Sequence, residues 1–133
     1  MRDKIKNILK EVVQEVLSTV ISIKSSVKEN AVMDQDPEKR VVVSIGLSGK
    51  LSASLVLVLT NSSACRVVSK MLDSEITEVS QDVVDGLGEM ANIMAGRIKS
   101  RFQEIAIPLA LSIPGVIMGL DPGSVAKMRT SEN

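Results

Sequence analysis

Two long stretches of the chain repeat apolar residues with the period of an α-helix. In residues 4–23 an apolar stripe recurs every three or four positions, with polar residues between. The stripe contains Ile5, Ile8, Leu9, Val12, Val16, Val20 and Ile23. The second stretch begins at Ser80 or Asp82 and ends near Gln103. We therefore predict two long amphipathic helices.

Other stretches carry the pattern of β-strands. Residues 41–47 form a β-branched run. After a short Ser48-Gly49-Lys50 turn, residues 51–59 alternate between two faces, which predicts a hairpin. One face holds Leu51, Ala53, Leu55, Leu57 and Leu59, and the other holds Ser52, Ser54, Val56 and Val58. The apolar run 109–118 predicts a further strand that bulges at Pro114 or lies at a sheet edge, because proline cannot donate to a strand ladder.

The remaining segments complete the predicted topology. Residues 24–38 indicate a loop, and residues 62–72 a short helix capped by Asn61 or Ser62. Three apolar residues of that helix are predicted to face inward, namely Cys65, Val68 and Leu72. The order α-β-β-α-α-β favours an α+β fold, an antiparallel sheet with two long helices packed on it. We expect one domain over residues 1–120 and a short tail, 121–133, that is loose or needs a partner for order.

The composition narrows the possible chemistry. The formal net charge is 0 and there is 1 Phe with no Trp or Tyr, so neither nucleic acid nor an anionic membrane is indicated as a partner. The chain has no His and 1 Cys, which excludes His-based catalysis and His or Cys-cluster metal sites. No membrane span or signal peptide is indicated, so we expect a cytoplasmic protein.

The second long helix places four polar or small residues in one line. At about 100° per residue, Asp85, Glu89, Asn92 and Gly96 share a narrow arc, which we call the polar row. The opposite arc is predicted to pack inward and holds Val84, Leu87, Ala91, Met94, Ile98 and Phe102. A carboxylate and a carboxamide that project together can hold a cation and orient a water molecule. The alternative is a helix face that is only solvated.

Neighbouring residues support either interpretation. Ile93 lies close to the polar row, and an exposed isoleucine beside polar groups suggests a contact surface. Gly86, Gly88 and Gly96 fall inside the helix, where they reflect either close helix packing or, at Gly96, clearance for a partner backbone. Asp85 can equally serve the helix dipole.

Residues 79–119 resemble the chemotaxis phosphatases of the CheC/CheX type. The family's long helix carries the pattern G-E-x-x-N-x-x-x-G and a lysine, followed by a strand with S-x-P-x-V-I-x-G. The matching helix residues here are Gly88, Glu89, Asn92, Gly96 and Lys99. The matching strand residues are Ser112, Pro114, Val116, Ile117 and Gly119. The hairpin also resembles the family's first strands, so the resemblance covers roughly residues 3–120.

The resemblance implies a phosphatase that removes the phosphoryl group from an aspartate of a phosphorylated CheY-like response regulator. The Mg²⁺ would be held by the regulator, and this chain would need no cofactor of its own. Asn92 would orient the attacking water, and Glu89 would pair with the regulator's active-site lysine. Asp85, Ile93 and Gly96 would contact the partner.

The chain departs from the family pattern in two places. The first helix has Glu11 and Gln14 where a second site would need Glu-x-x-Asn, which favours the single-site, CheX-like branch. The family's last two strands are expected to be missing, and an uncompleted sheet edge indicates a homodimer. Two alternative functions remain open, a non-catalytic regulator-binding or adaptor module in chemotaxis signalling, and a purely structural domain.

Overall fold

A computed structural model describes residues 2–20, 37–49 and 52–125, which form an α+β arrangement. The first helix, α1 (Arg2–Glu15), continues into a π-helical segment, Val16–Val20. In chain order the elements are α1 (Arg2–Glu15), β1 (Arg40–Gly49), β2 (Ala53–Thr60), α2 (Asn61–Leu72), α3 (Gln81–Glu104), β3 (Leu109–Leu111) and β4 (Gly115–Leu120). The predicted fold class and both long helices are confirmed.

Strand β1 is the centre of an antiparallel sheet that has four strands within the described residues. On one side it pairs with β2, from Arg40 opposite Thr60 to Leu47 opposite Ala53. This pairing confirms the hairpin. On its other side β1 pairs first with β4 and then with β3, which follow each other along one edge.

The interruption of the third predicted strand lies at residues 112–114, between β3 and β4. There the Ser112 hydroxyl accepts a hydrogen bond from the Gly46 N–H at 2.8 Å, and the Ser112 N–H donates to the Gly46 carbonyl at 2.9 Å. Ser112 thus continues the hydrogen bonding to β1 across the interruption. Pro114, which has no N–H, lies where no donor is required. The predicted interruption at an edge is confirmed.

The main core lies between the three helices and one face of the sheet. Alternate residues of β1 point into it, because successive strand side chains face opposite ways. These are Val41, Val43, Ile45 and Leu47. From the helices the core receives, among others, Ile5, Ile8, Val12, Val16, Val68, Leu87, Met94, Ile98 and Phe102.

Three details of the predicted packing were wrong. Val84 is only half-buried, and Val83 instead is fully buried because α2 packs against this end of α3, where Val68 lies close to Gly86. Leu72, at the end of α2, is 48% exposed. Helix α2 begins at Asn61, and its cap is Thr60, whose hydroxyl accepts a hydrogen bond from the Ser63 N–H at 3.1 Å.

Several sequence-based predictions fall outside the described residues. These are the extension of the first helix to Ile23, the loop up to residue 36, the turn at Lys50 and most of the tail. Residues 122–125 form one helical turn, with Val125 buried. In the described ranges no helix is long and apolar enough to cross a membrane. The division at residue 120 stays a prediction.

Candidate functional site on helix α3

Helix α3 has an inward arc that is buried from its first turn to its last. Its inward arc is almost entirely inaccessible to solvent and consists of Val83, Gly86, Leu87, Met90, Ala91, Met94, Ile98 and Phe102. Met94 is therefore a core residue, as the pattern predicted, and Met90 is buried as well. Burial of this arc fixes the rotation of the helix about its axis, and so it determines which residues face outward.

Both ends of α3 are closed by backbone contacts. The Ser80 carbonyl accepts hydrogen bonds from the N–H groups of Val83 and Val84, at 3.1 and 3.2 Å. At the other end Ala106 adopts a positive φ of 56°, and the Ile107 N–H donates to the Phe102 carbonyl at 3.0 Å. These contacts satisfy backbone groups that a helix end otherwise leaves open.

Two ion pairs tie α3 to α1. Arg97 binds Glu15, and Arg101 binds Glu11. The hydrogen bond that Arg101 donates to Glu11 raises the pKa of the guanidinium further above its ordinary value. The last turns of α1 and α3 are thereby joined to each other.

The polar row points to solvent as predicted. Asp85, Glu89, Asn92 and Gly96 are all exposed. Asp85 accepts a hydrogen bond from the Gln81 side chain at 2.8 Å, so part of its carboxylate is already occupied within the helix. Neither Glu89 nor Asn92 has a side-chain hydrogen bond or ion pair with any residue that the structure describes. The acid and the amide of the row are therefore available to a partner.

Ile93 differs from its prediction as an exposed contact residue. It is half-buried and packs against the main core. The reason is its angular position, about 100° from Asn92, which places it at the boundary of the buried arc where α1 and α2 lie against α3. Only its outer part can contribute to a contact surface.

The three glycines of α3 separate into two kinds. A Cβ atom added at Gly86 would lie 2.7 Å from Cγ1 of Val68, so α2 approaches α3 too closely for any side chain there. At Gly88 and Gly96 an added Cβ would meet nothing within 4 Å. Close packing thus explains Gly86 and leaves the other two glycines without an explanation inside the described chain.

The reactive groups of the described residues limit the chemistry. No group of three or more His, Cys, Asp or Glu side chains in those ranges is arranged to hold a metal ion. Cys65 is buried, and burial together with the negative charges of Glu38 and Glu78 raises the pKa of its thiol. The thiol is thus protonated at neutral pH and unsuited to nucleophilic attack. An exposed acid-amide pair on a rigid helix remains, which can orient groups that a partner supplies.

Comparison with known proteins places this fold and helix in a family. The family model for chemotaxis phosphatase CheX matches residues 41–131, which is more than half of the chain. The chain belongs to this family. The match contains the hairpin, the polar row and the strand with Pro114.

Individual relatives agree with that assignment. The CheY-P phosphatase CheX of Thermotoga maritima is 26% identical over 82 residues, which cover 61% of this chain and 53% of the relative. The chain thus spans about half the length of that relative. Crystallised CheX from Desulfovibrio desulfuricans is 27% identical with a TM-score of 0.73, over 89% of this chain and 79% of that one.

A third comparison concerns a complex. CheX of Borrelia burgdorferi, solved together with CheY, BeF3 and Mg²⁺, has a TM-score of 0.66 and 18% identity, over 84% of this chain and 75% of that one. At this identity the likeness shows the fold alone. The roles assigned to Glu89 and Asn92, and to Asp85, Ile93 and Gly96 as partner contacts, stay predictions.

Proposed function

We propose that this protein dephosphorylates a phosphorylated CheY-like response regulator by inserting the polar row of α3 into the regulator's active site. The observation that carries the proposal is the exposed pair Glu89 and Asn92, without a partner among the described residues, on a helix fixed by its buried arc. The activity named for the Thermotoga maritima relative supports the same function.

The chemistry needs only positioning from this chain. A water molecule attacks phosphorus in line with the aspartyl oxygen, the bond from phosphorus to that oxygen breaks, and the products are the aspartate carboxylate and inorganic phosphate, which keeps the water's oxygen. The Asn92 carboxamide holds the water through one hydrogen bond, which is enough because phosphoryl transfer depends on alignment and charge stabilisation. Mg²⁺ on the regulator would neutralise phosphoryl oxygens, and in this proposal the polar row supplies no ligand for it.

Glu89 has a separate task in this proposal. It lies three residues before Asn92, about 4.5 Å along the helix axis, and on the same side. Its carboxylate pairs with a lysine of the regulator's active site and so fixes the depth at which Asn92 enters. Two polar contacts on one rigid helix leave the water a single orientation. A cytoplasmic place of action, where such regulators signal, belongs to the same proposal.

The function is tested with a CheY-type receiver phosphorylated by acetyl phosphate and then freed of the donor. Substoichiometric protein is expected to shorten the lifetime of the phosphorylated receiver by at least about 10-fold, as release of inorganic phosphate would report. A regulator-binding module would instead bind the BeF3-loaded receiver and leave the decay unchanged. If the protein neither speeds decay nor binds, the polar row is only solvated.

We also propose that the protein forms a homodimer through the edge made by β4. Within the described residues β4 pairs only with β1, and its side chains Ile117 and Met118 are 49% and 48% exposed. An apolar edge strand favours pairing with a second copy. Sedimentation equilibrium is expected to give a dimer for the wild type and a monomer for Ile117→Lys. Val58→Lys on the opposite edge strand β2 serves as the control, and a monomeric wild type would refute the dimer.

A further inference from the structure

Charge is distributed unevenly along the outside of α3. Its first turns carry the acidic residues Asp82, Asp85 and Glu89, and its last turns carry the cations Arg97, Lys99 and Arg101, with one acid, Glu104, as the final residue. Both arginines are bound to carboxylates of α1. Lys99 is exposed, and its ammonium group has no ion pair or hydrogen bond with any described residue. Among the basic residues of α3 it is the one available to a partner.

Lys99 continues the polar row. It follows Asn92 by seven residues, which returns it to within about 20° of the same direction and places it about 10.5 Å further along the axis. Gly96 lies between them, and Gly88 lies one turn before Asn92. An added Cβ would meet nothing within 4 Å at either glycine, so no other residue covers the helix backbone there. We call these two positions, one on each side of Asn92, the bare turns.

These positions give the exposed surface of α3 a negative charge at one end and a positive charge at the other. A carboxylate at Glu89 and an ammonium group at Lys99 are separated by about 15 Å along the helix, with the amide of Asn92 and the bare turn at Gly96 between them. A receiver that lies close against the bare turns can meet both charges at once. A receiver bound in the reverse orientation would place its acidic group beside Glu89 and its lysine beside Lys99, and both repulsions disfavour that orientation.

We propose that Lys99 orients the phosphorylated regulator on α3 by pairing with an acidic side chain of that regulator. The proposal rests on the proposed function and adds a second, oppositely charged contact to the one at Glu89. Lys99 is a positioning residue, since at two helical turns from Asn92 it does not reach the reacting atoms. It contributes to the orientation of the regulator on α3 and to the lifetime of the complex.

The test is the charge reversal Lys99→Glu, measured by steady-state dephosphorylation of the receiver. KM is expected to rise by roughly 5- to 20-fold with kcat unchanged, because the attraction between residue 99 and an acidic side chain of the receiver becomes a repulsion. The rise is expected to shrink between about 0.05 M and about 0.5 M salt, as screening shortens the reach of charges. Lys99→Arg keeps the charge and is expected to restore the wild-type KM.

Lys70→Glu is the matched control. Lys70 is exposed on a different helix, α2, and its reversal changes the net charge by the same amount. Equal effects of the two reversals on KM would overturn the proposal, as would a fall in kcat with KM unchanged for Lys99→Glu. Failure of the proposed function is distinguishable, because the wild type itself would then be inactive.

Discussion

Replacing Asn92 by alanine is expected to lower kcat for receiver dephosphorylation by at least about 100-fold, the loss typical of removing one preorganised polar group. The carboxamide would align the attacking water, and no other described side chain of the polar row carries an amide. KM should change little, since in the proposed complex Glu89 would still pair with the receiver. Stopped-flow measurement of phosphate release checks both constants.

The same variant separates chemistry from folding. Asn92 is exposed in the middle of α3, where alanine is the better helix former by up to about 0.7 kcal/mol, so the melting temperature should not fall. Asn7→Ala makes the same change at an exposed position of α1 and is expected to leave kcat unaltered. Glu89→Ala should raise KM more than Asn92→Ala does. If Asn92→Ala kept the wild-type kcat, the role assigned to the amide would be wrong.

Replacing Gly86 by valine is expected to destabilise the fold by about 2–3 kcal/mol, because the added carbons overlap a packed core. Cγ1 of Val68 would lie 2.7 Å from the new Cβ, and Val68 is fully buried with a stiff, β-branched side chain. Helices α2 and α3 must separate to admit the side chain. Thermal unfolding should show a fall of roughly 5–15 °C in melting temperature.

Gly88→Val is the matched control for that experiment. It makes the same substitution two residues later in the same helix, where an added Cβ meets nothing within 4 Å. The free energy of unfolding should be unchanged or slightly higher, since valine is a somewhat better helix former than glycine. Equal losses at the two positions would contradict a specific contact between Gly86 and Val68.

The polar row could be predicted from the sequence because helical periodicity alone places its members. Asp85, Glu89, Asn92 and Gly96 are four, three and four residues apart, and the apolar residues between them leave one direction for the core. The strand break was equally local, since Pro114 removes a donor whatever lies around it. Both predictions needed no knowledge of which elements pack together.

Most contacts between elements could not be predicted from the sequence, because they depend on which elements pack together. Ile93 was expected at the surface because its own helix could not reveal that neighbouring elements cover its flank. The pairs of Arg97 and Arg101 with Glu15 and Glu11 did leave a signal, a spacing of four on each helix, which marks two facing stripes of opposite charge. Gly86 left none, because a glycine that packs and a glycine that is bare are identical in sequence.

The two ion pairs between α1 and α3 also bear on how many receivers one chain can serve. They commit both acidic residues of the last turns of α1, Glu11 and Glu15, to the scaffold. With Gln14 half-buried beside them, α1 offers no free acid next to an amide in those turns. The proposed site on α3 therefore predicts a stoichiometry of one receiver per chain.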